Sequence, residues 1–137
     1  MKAAFYERFG PAAEVLRVGE RDTPTPRTGE ALVRVAASGV NPSDVKLRAG
    51  KRPGERMTYP RIIPHSDGAG VVEAVGPWVD RRLVGRRVWM WNAQWRRASG
   101  TCAEYVALPA EQVAPLPDRA SFEDGATLGM PDRKSVV

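Results

Sequence analysis

Breakers set the grain of this chain. Its 137 residues include 13 glycines and 12 prolines. Each proline fixes φ and removes a backbone donor, while glycine marks turns and bulges, so long helices are ruled out and short segments remain. Between the breakers the pattern favours strands. Residues 2–7 and 15–18 read as two short strands, and residues 23–26, Thr-Pro-Thr-Pro, interrupt them. In residues 30–37 the alternation of Ala31, Val33, Val35 and Ala37 with Leu32, Arg34 and Ala36 has the period of two expected of a strand. Residues 68–75, 85–91, 101–108 and 113–116 follow the same style. Short strands recurring about every ten residues predict a mainly β chain, closed or nearly closed into a barrel.

Two short helices punctuate the strands. Asn41 is suited to cap a helix starting at Pro42 and running through Arg48, with Ala49-Gly50 as its stop. Ser121 has the character of a second N-cap. No apolar run approaches the ~20 residues that span a bilayer, and the N-terminus lacks the apolar stretch of a secretory signal, so a cytoplasmic protein without membrane contact is expected. The single cysteine, Cys102, excludes an intramolecular disulfide and a multi-thiolate zinc site, and reads as a small buried residue of a strand. The net charge of +5 includes the arginine pairs 81–82, 86–87 and 96–97. Acidic residues are spread along the chain and no nucleic-acid-binding motif is present, so a solvated basic rim is expected rather than a nucleic-acid partner.

Three stretches in order, 39–44 (Gly-Val-Asn-Pro-Ser-Asp), 64–76 (Pro-His-Ser-Asp-Gly-Ala-Gly-Val-Val-Glu-Ala-Val-Gly) and 100–106 (Gly-Thr-Cys-Ala-Glu-Tyr-Val) followed by Pro115-Leu116-Pro117, resemble the N-terminal domain of the medium-chain dehydrogenase/reductase superfamily. Within it the chain is most similar to the NADPH:quinone reductase, or zeta-crystallin-like, branch. The resemblance implies a GroES-like β-barrel with short helices over residues 1–131, followed in the family by a Rossmann domain, with the active site between the two. It also implies NADPH as cofactor, a small carbonyl or quinone substrate, and a homodimer when full-length.

In the zinc alcohol dehydrogenases that this chain resembles, a cysteine ligand stands where Asn41 is found and a histidine ligand where Ser66 is found. An amide and a hydroxyl are poor substitutes, so no metal is expected. Carbonyl polarisation then falls to hydrogen-bond donors. The resemblance puts residues 41–46 and the Tyr59 region on the cleft wall. Tyr59 and Asn41 are the expected catalytic residues, Asn41 and Lys46 the cofactor contacts, and Asp44 and Tyr59 the substrate contacts. Each has a plainer reading as helix cap, first-turn acid, solvated surface or packed ring. The 68–70 Gly-x-Gly lies in a strand and is not a dinucleotide fingerprint. Trp89, Trp91 and Trp95 read as a rim for a planar substrate, a subunit contact, or core and loop packing.

Residues 132–137 bear no similarity to the family's continuation. They read as translated adapter sequence, an assembly artefact in place of a natural protein more than double the length. On that reading the Rossmann domain is missing, and the fragment by itself binds no cofactor and is inactive. The alternative is a free-standing, non-catalytic GroES-like binding or assembly module.

Overall fold

The structure, a computed structural model, describes residues 1–50 and 53–130. The expected boundary at residue 131 and the 132–137 tail lie outside the described residues. The described chain is mostly β. In order it forms β1 (Lys2–Phe5), α1 (Ala12–Val15), β2 (Arg17–Glu20), β3 (Glu30–Gly39), α2 (Pro42–Ala49), β4 (Asp67–Val75), β5 (Arg87–Met90), β6 (Tyr105–Pro109), β7 (Val113–Pro115) and α3 (Phe122–Gly125). None of its helices is long and apolar enough to cross a membrane.

β1 and β2 pair antiparallel as a small sheet, and the remaining five strands form a second sheet in the order β6-β3-β4-β5-β7. The outer strands of that second sheet, β6 and β7, are separated in sequence only by the 3₁₀ turn Ala110–Gln112. Two opposite edges joined by so short a connection force the sheet to curl round until they meet. This is how the barrel closes, although no ladder joins the two edges.

The strand alternation explains what fills it. Ala31, Val33, Val72, Val88, Met90, Val106 and Leu108 are fully buried in one cluster. Register places Val33 opposite both Val72 and Val106, and Ala31 opposite Leu108. Each of the valine, leucine and methionine side chains contributes about 1.5–3 kcal/mol by leaving water. Outside the barrel, Ala3, Phe5 and Ile63 form a second cluster, and Tyr6, Val15 and Ile62 a third, which seat the small sheet. Bridges from Ala3 to Ala103 and from Tyr6 to Ile62 complete the attachment.

β4 passes very close to β3. Gly70 lies opposite Val35, and a Cβ there would collide with the backbone carbonyl of Arg34. The ladder shifts register on either side, between Leu32 and Val33 and between Val35 and Ala37. Such bulges sharpen strand curvature, which a small barrel needs.

The helix expected from Asn41 is present, with Pro42 in its first turn and Gly50 at its end in a left-handed conformation, φ 78°. Two expectations are corrected. The strand expected over residues 15–18 begins only at Arg17 and runs on to Glu20: the Pro11 carbonyl accepts from the Glu14 and Val15 N–H groups, making the single turn α1. That turn carries Val15 into the cluster with Tyr6 and Ile62. Cys102 precedes β6 instead of lying within a strand, and is half-buried beside the Ala3 cluster.

Gly70→Ala should destabilise the barrel by about 2 kcal/mol or more, because the obstruction is backbone and cannot rotate away. Urea denaturation monitored by tryptophan fluorescence measures this, and an unchanged midpoint would contradict the close approach of β3 and β4.

Candidate active-site cleft

One end of the barrel carries an open cleft of about 370 Å³. α2 contributes Asp44 and Leu47, the 58–62 segment contributes Tyr59, and the start of β4 is flanked by Ser66. Trp95 and Arg96 form another part of the lining, and Met130 completes it.

Beneath this lining lies Asp67, only 1% exposed. Its Oδ2 accepts from the Asn41 side-chain amide at 2.8 Å and from the Met130 backbone N–H at 2.9 Å. Among the described residues Oδ1 has no hydrogen-bond partner. The backbone at Gly129 lies so near that a Cβ would strike this carboxyl group. Asp67 therefore ties β4 to the start of α2 and to the segment after α3.

Asn41 is the N-cap residue of α2, but its amide nitrogen is turned to Asp67. The first turn is closed from the other direction, with Asp44 Oδ2 accepting from the Asn41 backbone N–H at 2.7 Å. Burial pushes the Asp44 carboxyl above its usual range, opposed by that hydrogen bond and by His65.

A second network lies nearby. Ser38 Oγ is 2.8 Å from both His65 Nδ1 and Thr101 Oγ1, and Thr101 Oγ1 donates to the Asp67 carbonyl at 2.6 Å. Counting hydrogens assigns the tautomer. Thr101 spends its proton on Asp67, so Ser38 donates to Thr101, and His65 must donate from Nδ1 to Ser38. Neutral His65 then carries its lone pair on Nε2. Burial holds its pKa below the ordinary 6.5, with the Asp44 carboxylate opposing and Arg48 reinforcing. Its backbone is left-handed, φ 80°, a conformation uncommon for any residue but glycine.

Tyr6 has its hydroxyl buried without a partner among the described residues, and burial pushes its pKa up to about 12.

The cleft thus gathers two of the expected residues. Asp44 and Tyr59 line it, the latter half-buried and packed against the Tyr6 cluster. Asn41 lies behind the lining, 8% exposed. Lys46 projects from α2 as an exposed side chain and is not part of the lining. The tryptophans separate: Trp89 and Trp91 pack against each other with ring centroids 5.1 Å apart and planes tilted by 43°, whereas Trp95 lines the cleft. Asp67 as the tie and the Ser38–His65–Thr101 network were not anticipated. A hydroxyl at the end of an apolar strand alternation, as at Ser38, was the available signal.

Among the described residues no group of three or more His, Cys, Asp or Glu side chains is arranged to hold a metal ion. Nor do they form a pyrophosphate cradle. The paired strands are antiparallel throughout, and the N-terminus of α2 is occupied by Asp44.

Residues 27–118 match the alcohol dehydrogenase GroES-like domain family. The chain is 34% identical to the mouse protein named quinone oxidoreductase over 127 residues, 92% of this chain and 36% of that one. Among solved structures, Pseudomonas syringae quinone oxidoreductase superimposes with a TM-score of 0.79 at 32% identity, covering 94% of this chain and 37% of that one. A mycobacterial protein solved in complex with NADPH gives 0.78 at 33% identity, covering 93% and 37%. The chain therefore spans little more than a third of the length of these relatives.

Asn41→Ala should cost about 1–3 kcal/mol in a denaturation experiment, since a buried carboxylate oxygen loses one of its two donors. His65 supplies a pH signature. The unfolded chain takes up this proton first as acid is added, so its contribution is complete above about pH 6.5 and is lost as pH falls through the lower folded-state value. His65→Gly, which suits the left-handed backbone, should flatten the decline of the urea midpoint below pH 6.5. An unaltered slope would show that His65 is not the group being titrated.

Proposed function

Because the chain belongs to the alcohol dehydrogenase GroES-like domain family, we propose that it is the substrate-side domain of an NADPH-dependent quinone or enone oxidoreductase that works without zinc. The observation that carries this reading is the cleft itself, a mostly apolar opening with a tyrosine and a tryptophan in its lining, sized for a planar carbonyl compound. The names of the mouse and Pseudomonas relatives and the NADPH complex of the mycobacterial one support the same chemistry.

When bound, the nicotinamide supplies hydride. It is held by the Rossmann domain that the family resemblance implies, since the residues described here lack a pyrophosphate site of their own. What this chain supplies is polarisation and placement. The Tyr59 phenol donates to the substrate carbonyl oxygen, where negative charge develops. Asn41, through Asp67, fixes the start of α2 and with it Asp44 and Leu47. Lys46 is assigned to a cofactor phosphate on the strength of its charge and its exposed place on α2. The zinc-free assignment rests on the donor set. Asn41 and Ser66 offer an amide and a hydroxyl, and the Asn41 amide is already engaged by Asp67.

The chain alone should bind a non-electrophilic anthraquinone saturably, measured by equilibrium dialysis, and should not oxidise NADPH in its presence. Tyr59→Phe should weaken that binding about fivefold, the value of one modest hydrogen bond. NADPH oxidation by the chain alone, or the absence of saturable quinone binding, would defeat the proposal.

A further inference from the structure

The part of the cleft lining formed by residues 91–97 is built with unusual care. Its two ends are left-handed at residues other than glycine, Asn92 at φ 52° and Arg96 at φ 56°. Strain of this kind persists only where the surroundings impose it, and it concentrates at binding sites. Here the surroundings are explicit. The Arg97 guanidinium donates to the carbonyls of Ala93 at 2.9 Å and Asn92 at 3.2 Å, and to Gln112 Oε1 at 2.5 Å. Gln112 in turn donates to the carbonyls of Trp91 at 2.9 Å and Asn92 at 3.0 Å. Gln94, 9% exposed, donates to the Arg97 carbonyl at 3.1 Å.

The braced loop lends Gln94, Trp95 and Arg96 to the cleft lining, the last two as exposed side chains. Trp95 remains 58% exposed, although it is large and apolar. The Arg96 guanidinium lies over its ring, 4.4 Å from the centroid. Among the described residues Arg96 forms no ion pair, in contrast to Arg61 and Arg82, each of which has a carboxylate partner. Among the described residues the only acidic side chain in the lining, Asp44, has its carboxylate turned to the Asn41 N–H. An exposed indole beside an unpaired guanidinium offers a stacking face with a cationic edge.

We infer that Trp95 and Arg96 select the substrate: a planar aromatic carbonyl compound bearing an anionic substituent, with its rings on Trp95 and its anion on Arg96. This rests on the reading of the cleft as a quinone or enone site and adds the charge of the substrate to it. The guanidinium gains an anionic partner that it lacks among the described residues, while a neutral quinone gains only the stacking contact.

The experiment compares anthraquinone-2-sulfonate with neutral 2-(hydroxymethyl)anthraquinone by equilibrium dialysis against the chain. The sulfonate should bind about fivefold or more tightly than the neutral compound at low salt, and the preference should shrink as ionic strength rises. Arg96→Asn, which tolerates the left-handed backbone, should abolish the preference; Arg96→Lys should retain part of it. Trp95→Ala should weaken both ligands. Equal binding of the two ligands, or a preference that survives Arg96→Asn, would overturn the inference while leaving the quinone cleft standing. Failure of both to bind the unaltered chain would overturn both.

Discussion

A single buried carboxyl group holds the cleft together. Asp67 accepts from a side chain at the head of α2 and from the backbone after α3, so segments far apart in sequence meet on one oxygen. Hydrogen bonds of this type are strong because the carboxyl is out of water, and costly to break for the same reason. The neighbouring hydroxyl network grips the backbone of the same residue through Thr101. The position of Asp44 and Leu47, and therefore one flank of the cleft, follows from where β4 begins.

The barrel provides the platform for that arrangement. Its closure depends less on the number of strands than on a short link between opposite edges of one sheet and on the close approach of β3 and β4 at Gly70. Curvature on this scale leaves the interior only wide enough for the Val, Leu and Met side chains that fill it. The open cleft therefore lies outside the packed interior, where polar residues are half-covered.

Much of the architecture was legible in the residues. Breakers, period-two alternation and the Asn-Pro helix start are local signals, and β3, β4 and α2 formed where they pointed. The strand expected from Val15 starts two residues later, because the strand-like composition of Val15 and Leu16 is overruled by a proline-initiated turn that gives Val15 a better place to be buried. The cleft was only half visible. Asp44 and Tyr59 could be placed by resemblance, but Asp67, Ser38 and Thr101 meet through pairings distant in sequence, and spacing along the chain carries no trace of such meetings. Trp95 could not be separated from Trp89 and Trp91 by composition. Only the two left-handed residues and the Arg97 brace distinguish a presented ring from a packed one.

Gln112 belongs to the turn that links the barrel's two edge strands, and it also grips the loop that carries Trp95 and Arg96. Seam and cleft loop are therefore one mechanical unit. Local fluctuations have little freedom to reshape the aromatic face without also loosening the strand closure. As the protein is warmed, selectivity should hold nearly constant and then vanish together with the fold, instead of eroding ahead of it.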